Sequence, residues 1–265
     1  ANSSGTKNVA VGHSSLVANT TANQNTAVGY SSLGANTTGA NNTAMGCGAL
    51  VLNTTGAENT AIGALSLDAN TTGNYNTAVG HLSLTANTTA DNNTAIGRSS
   101  MCKNTTGTQN TAVGRLALFN NTTASDNIAV GYRTLCANQT GTQNIAIGTD
   151  ALRNNTDNCH VAIGYLSLDA NTSGCRNTAV GSNTLSENTT GSLNVAIGHN
   201  SLDAATTADH NTAVGACSLG LNTTGDLNTA IGQCAMALNT IGDRNVAVGS
   251  NALRTYNPSS NEDGY

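Results

Sequence analysis

The sequence has one proline, no tryptophan and a single phenylalanine, and only 3% of its 265 residues are aromatic. Charged residues make up 9%, against about 25% in ordinary soluble domains. A typical soluble enzyme is not expected from such a composition. Disorder is not expected either, because it accompanies high net charge and abundant Pro, Glu and Lys. The net charge of −5 lacks the clustered Lys and Arg with which proteins grip nucleic acid. No apolar run approaches the roughly 18 residues of a membrane-spanning helix.

What is present in quantity is Asn (40), Thr (41) and Gly (29), residues that favour turns or strands. They recur in register. Gly stands at 12, 29, 46, 63, 80, 97, 114, 131 and 148 with period 17, at 164 after one interval of 16, then at 181, 198, 215, 232 and 249. The pattern predicts an all-β fold, a β-solenoid of fifteen coils of about 17 residues over positions 1–254, followed by a polar tail or linker, 255–265. Stacked at about 4.8 Å, the coils would make a rod roughly 70 Å long.

Comparison among coils shows which positions are constrained. The residue before each Gly is Val, Ile or Met, and the one three before it is Thr, Val or Ile. Side chains in a strand alternate, so these two share a face, and Ala in every coil takes the other. Leu or Met follows four residues after each Gly, behind Ser, Ala or Thr. This segment reads as a second short strand with one large inward side chain. The expected core is Val28, Leu33, Ile62, Leu67, Leu219 and Ile231. Such a core is thin and nearly free of aromatics, so further burial against neighbouring copies in a homotrimer is expected. The unvarying Ala27, Ala44, Ala61, Ala78 and Ala95 are the candidate oligomer face. In the alternative reading, Ala lines a narrow interior that Val and Leu fill.

The motif Asn25-Thr26-Ala27-Val28-Gly29, repeated at 59–63 and 228–232, resembles the head repeats of trimeric autotransporter adhesins. With its Leu and Asn-Thr-Thr-Gly segments it is still more similar to repeats of phage and bacterial tail-fibre proteins. The resemblance covers about residues 2–254. It implies a trimeric solenoid used as an adhesin head or fibre shaft outside the cell, on a cell surface or on a virion, facing a host receptor or matrix. The repeat is longer than that of the adhesins, and no coiled-coil stalk, membrane anchor or chaperone is found in it. A subunit that stacks end to end into a filament is the alternative, since neither end carries a strong cap. Residues 2–5 read as the turn of a coil whose first half is missing, consistent with processing or with a segment of a longer array.

Seven cysteines occupy scattered registers, unlike a metal or disulfide framework. Cys217 and Cys234 share a register in adjacent coils, and Cys159 and Cys175 are one coil apart, offset by one position. Both pairs are candidate disulfides. Asn36, Asn53, Asn70, Asn87 and Asn104 begin Asn-X-Thr triplets in the predicted turns and are possible glycosylation sites; the competing explanation is that the turn itself needs Asn and Thr. No catalytic, cofactor-binding or metal-binding residue is expected. His13, His81 and His199 share a register several coils apart, too far to chelate one ion, and Asp68, Asp169 and Asp203 lack a paired base. His160 replaces an Asn in the one short coil, where a kink or bulge is expected. Ice binding by rows of Thr is a third function, disfavoured here because the strand Thr interchanges with Val and Ile as a buried residue would.

Overall fold

The computed structural model describes residues 2–258; the end of the polar tail, beyond 258, lies outside the described residues. The chain forms two compact units, residues 1–129 and 130–265. Each is a parallel β-solenoid without α-helix among the described residues. The first contains β1 (Val9–Val11), β2 (Thr26–Val28), β3 (Thr43–Met45), β4 (Thr60–Ile62), β5 (Thr77–Val79), β6 (Thr94–Ile96) and β7 (Thr111–Val113). The second contains β9 (Ile145–Ile147), β10 (Val161–Ile163), β11 (Thr178–Val180), β12 (Val195–Ile197), β13 (Thr212–Val214), β14 (Thr229–Ile231) and β15 (Val246–Val248), and β8 (Ile128–Val130) falls at the division. Within each unit neighbouring strands follow chain order, all parallel and in register, as in Ala27 opposite Ala44 and Ala213 opposite Ala230. The short coil keeps this register, with Ile145 opposite Val161, so the missing residue is taken from the turn.

Each coil has one strand of three residues. Its outer positions are β-branched and suit a pleated surface. Gly then closes the strand at φ between 125° and 143°. A Cβ on Gly29 would lie 2.6 Å from the carbonyl oxygen of Gly46 in the next coil, so the backbones stack through glycine there. The expected second strand does not form. Ser31 and Leu33 are left-handed, at φ 53° and 49°, and Leu occupies this conformation in nearly every coil. A left-handed non-Gly residue costs roughly 1–2 kcal/mol. Inter-coil bonds offset that cost: Ser31 donates its N–H back to His13 O (2.9 Å) and Leu33 donates forward to Ala49 O (3.0 Å).

The strand faces also differ from the expectation. Leu33, Leu67 and Leu219 are buried, but Ile62 and Ile231 are about 40% exposed and Val28 is half-buried. Ala27, Ala44, Ala61, Ala78 and Ala95, the candidate oligomer face, are fully buried inside the coil. Alternation places Ala and Val on opposite faces without saying which is inside. Burial of Leu, Ser and two Asn per coil beside this Ala leaves no place for Val or Ile in the interior.

Those asparagines form two internal ladders. In one, Asn59 donates its backbone N–H to Asn42 Oδ1 (2.9 Å) and its side-chain amide to Gly73 O (2.8 Å), while its own Oδ1 accepts from Asn76 N–H (2.9 Å). In the other, Asn53 Nδ2 bridges Asn36 Oδ1 and Gly56 O, both at 2.9 Å. Buried amides cost little when all their hydrogen bonds are made. Outside the second ladder, Thr hydroxyls such as Thr54 Oγ1 bond the Thr carbonyl of the next coil (3.0 Å).

Candidate functional site

With Ala turned inward, the outer face of the strands becomes the most distinctive surface of each unit. In the first unit it carries Thr26 and Val28, Thr43 and Met45, Thr60 and Ile62, Thr77 and Val79, Thr94 and Ile96 on successive coils. In the second it is more aliphatic: Ile145 and Ile147, then Val161 and Ile163, then Val195 and Ile197 after a Thr/Val coil. Every such position in β1–β15 is Thr, Val, Ile or Met, and none is charged. In-register pairing repeats the array at about 4.8 Å along the ladder and about 7 Å along each strand. Seven strands present a patch on the order of 30 Å by 10 Å in each unit, about 300 Å², which is the size of the largest apolar patch on a typical monomer.

The possible glycosylation sites Asn36, Asn53, Asn70, Asn87 and Asn104 lie at the opposite extreme. All five are fully buried, and each donates its side-chain amide both to the Asn one coil back and to the carbonyl three residues on. A glycan needs that nitrogen in solvent, so the folded coil excludes the modification. The sequence motif came from the turn itself.

All seven cysteines are free thiols in this structure, the candidate pairs Cys217–Cys234 and Cys159–Cys175 included. Cys159 instead directs its thiol to Gln143 Oε1 (3.5 Å). Burial pushes the Cys217 thiol above its ordinary range, with a further rise from Cys234 beside it. Burial likewise raises Cys102.

Titratable groups are dispersed. His13 stacks on Tyr30, ring centroids 5.6 Å apart. Arg133 makes a two-pronged pair with Asp150 (2.8 and 3.0 Å). Asp169, paired with Arg153 at 3.3 Å, is raised above the usual carboxylate range by burial. No three His, Cys, Asp or Glu side chains converge on a metal-sized space among the described residues. No helix there is long and apolar enough to cross a membrane.

His160 shows no kink in its strand. Fully buried, it takes the place of a ladder Asn: its backbone N–H reaches Asn144 Oδ1 (3.0 Å), its Nδ1 accepts from Asn177 N–H (3.3 Å), and its ring bonds the Gly174 carbonyl, fourteen residues on, as ladder asparagines do. Desolvation lowers its pKa from 6.5 to about 4. No sequence signal announced this, because the ladder into which His160 fits is visible only once Asn is known to point inward. No protein-family model matches the chain, and no curated protein matches it.

Proposed function

We propose that the chain is a non-catalytic structural segment of an extracellular fibre, a shaft or head, whose copies pack side by side as a homotrimer through the Thr/Val/Ile face. The observation that carries this reading is the uncharged, regular, half-exposed array itself. The largest exposed patch on a monomer is often functional, and a closed ring of like surfaces would cover this one. The placement on a cell surface or virion, and a role in attachment to a host receptor or matrix, rest on the adhesin and tail-fibre resemblance of the repeat.

Light scattering of the folded protein tests the assembly: three times the chain mass is expected, falling to one in an Ile62→Asp/Ile96→Asp variant that retains its circular dichroism. A folded wild-type monomer would sink the trimer, and a mass rising without limit with concentration would favour the end-to-end filament. A second reading has one observation in its favour. The strand Thr lie on the outer face, not in the core, so flat ranks of Thr and β-branched methyls are available to an ice surface. Thermal hysteresis in a monomeric preparation would select that reading over the fibre.

A further inference from the structure

The second unit contains a groove of about 290 Å³ that the fibre reading does not use. Its floor is one register column, Asn200, Cys217 and Cys234, each two residues after a coil glycine. The column above it runs Asp203, Gly220, Ala237 and Arg254, and the groove is open because Gly220 and Ala237 are small where other coils place Phe119, Arg153 or Asp169. Leu221 and Leu238 form an apolar wall. Two thiols therefore lie side by side in a half-dry slot. Beside them Asn200 Oδ1 is sealed from solvent with no hydrogen-bond partner, an uncommon state for a buried acceptor.

We propose that Cys217 and Cys234 form a two-coordinate site for a soft monovalent cation, copper(I) or silver(I), with Asn200 Oδ1 as a weak additional donor. Thiolates select such ions. Metal–thiolate bonds of about 2.3 Å, the length found for zinc, span about 4.6 Å when two lie in line. That is close to the spacing of about 4.8 Å at which like positions of adjacent coils stack, and the two thiols lie within hydrogen-bond reach of each other, so a small turn of either side chain would admit a linear S–M–S unit. The lack of a third His, Cys, Asp or Glu ligand among the described residues disfavours tetrahedral zinc. Binding exchanges two thiol protons for one cation, leaving a single negative charge between Asp203 and Arg254 at the two ends of the groove. No electron transfer is involved.

The test uses reduced full-length protein and copper(I) supplied with a chromophoric bidentate competitor under anaerobic conditions. A background chain with Cys47, Cys102, Cys136, Cys159 and Cys175 replaced by Ser is expected to hold one copper(I), release about two protons per ion, and give the X-ray absorption edge of two-coordinate copper(I). Adding Cys217→Ser/Cys234→Ser should remove that ion with circular dichroism unchanged, and Asn200→Ala should weaken it several-fold. Retention of the ion after the double substitution overturns the proposal. So does copper(I) bound with three or four sulfurs, or a two-dalton mass loss marking a 217–234 disulfide in the isolated protein. If the background chain does not fold, wild type compared with Cys217→Ser/Cys234→Ser gives the same answer as a difference of one ion. None of these outcomes depends on trimer formation.

Discussion

The inner asparagine ladder is uninterrupted through β2–β7 of the first unit, whereas in the second it passes through His160. Both solutions satisfy the same three bonds: a ring nitrogen stands where Oδ1 would accept, and a ring N–H stands where the amide would donate. What differs is response to acid. An amide presents the same donor and acceptor at every ordinary pH, while an imidazole does so only when neutral. The geometric demand of a ladder site is thus separable from its chemical demand, and it is the second that His160 changes.

The largest effect comes from breaking the regular ladder. Asn59→Ala orphans Asn76 N–H inside the coil and removes the Asn59 amide bonds to Gly73 O, which keeps Asn70 Nδ2, and to Asn42 Oδ1. At 1–3 kcal/mol for the orphaned N–H and about 1 kcal/mol for each of the two amide bonds lost with it, a loss of about 4 kcal/mol is expected, read as a lower denaturant midpoint for the first unit. The next effect sharpens the comparison through pH. The folded pKa of His160 is about 4, below the unfolded value near 6.5, so the unfolded chain takes up the proton first as pH falls. The stabilising contribution of the neutral ring is therefore complete above about pH 6.5, declines between 6.5 and 4, and is absent below 4. The decline amounts to about 3 kcal/mol. His160→Asn should abolish that part of the pH dependence, and urea melts of the two proteins at pH 7 and pH 4.5 measure it. A smaller effect tests the outer support. Thr54→Val deletes one half-buried hydroxyl bond to Thr71 O at a cost of about 1 kcal/mol, with no pH dependence.

Much of this architecture was legible in the residues. The 17-residue glycine register, the inward Leu and the parallel stacking all follow from period alone. The direction of the strand was not legible, since alternation separates Ala27 from Val28 without naming the inside, and hydrophobicity pointed the wrong way. The burial of Asn36 was hidden for a related reason: asparagine is ordinarily a surface turn residue, and only hydrogen bonding between coils makes its burial cheap. That bonding is a property of the stack, invisible in one repeat. The conformation of Leu33 was hidden because left-handed leucine is unfavourable in isolation and is tolerated only under inter-coil bonds. The Cys217–Cys234 neighbourhood was visible as a shared register, but the groove above it depends on Gly220 and Ala237.

The stacked glycines and ladders carry one more implication. The inter-coil bonds of the first unit recur at fixed offsets in every coil, as in Thr26 N–H to Asn42 O and Thr43 N–H to Asn59 O, so excising or duplicating one whole repeat, such as residues 60–76, returns each cut bond to an equivalent mate. The cross-section is fixed by chemistry, while the number of coils is left free. Length in such a chain is a quantity that recombination can adjust in steps of one repeat, without inventing a new contact.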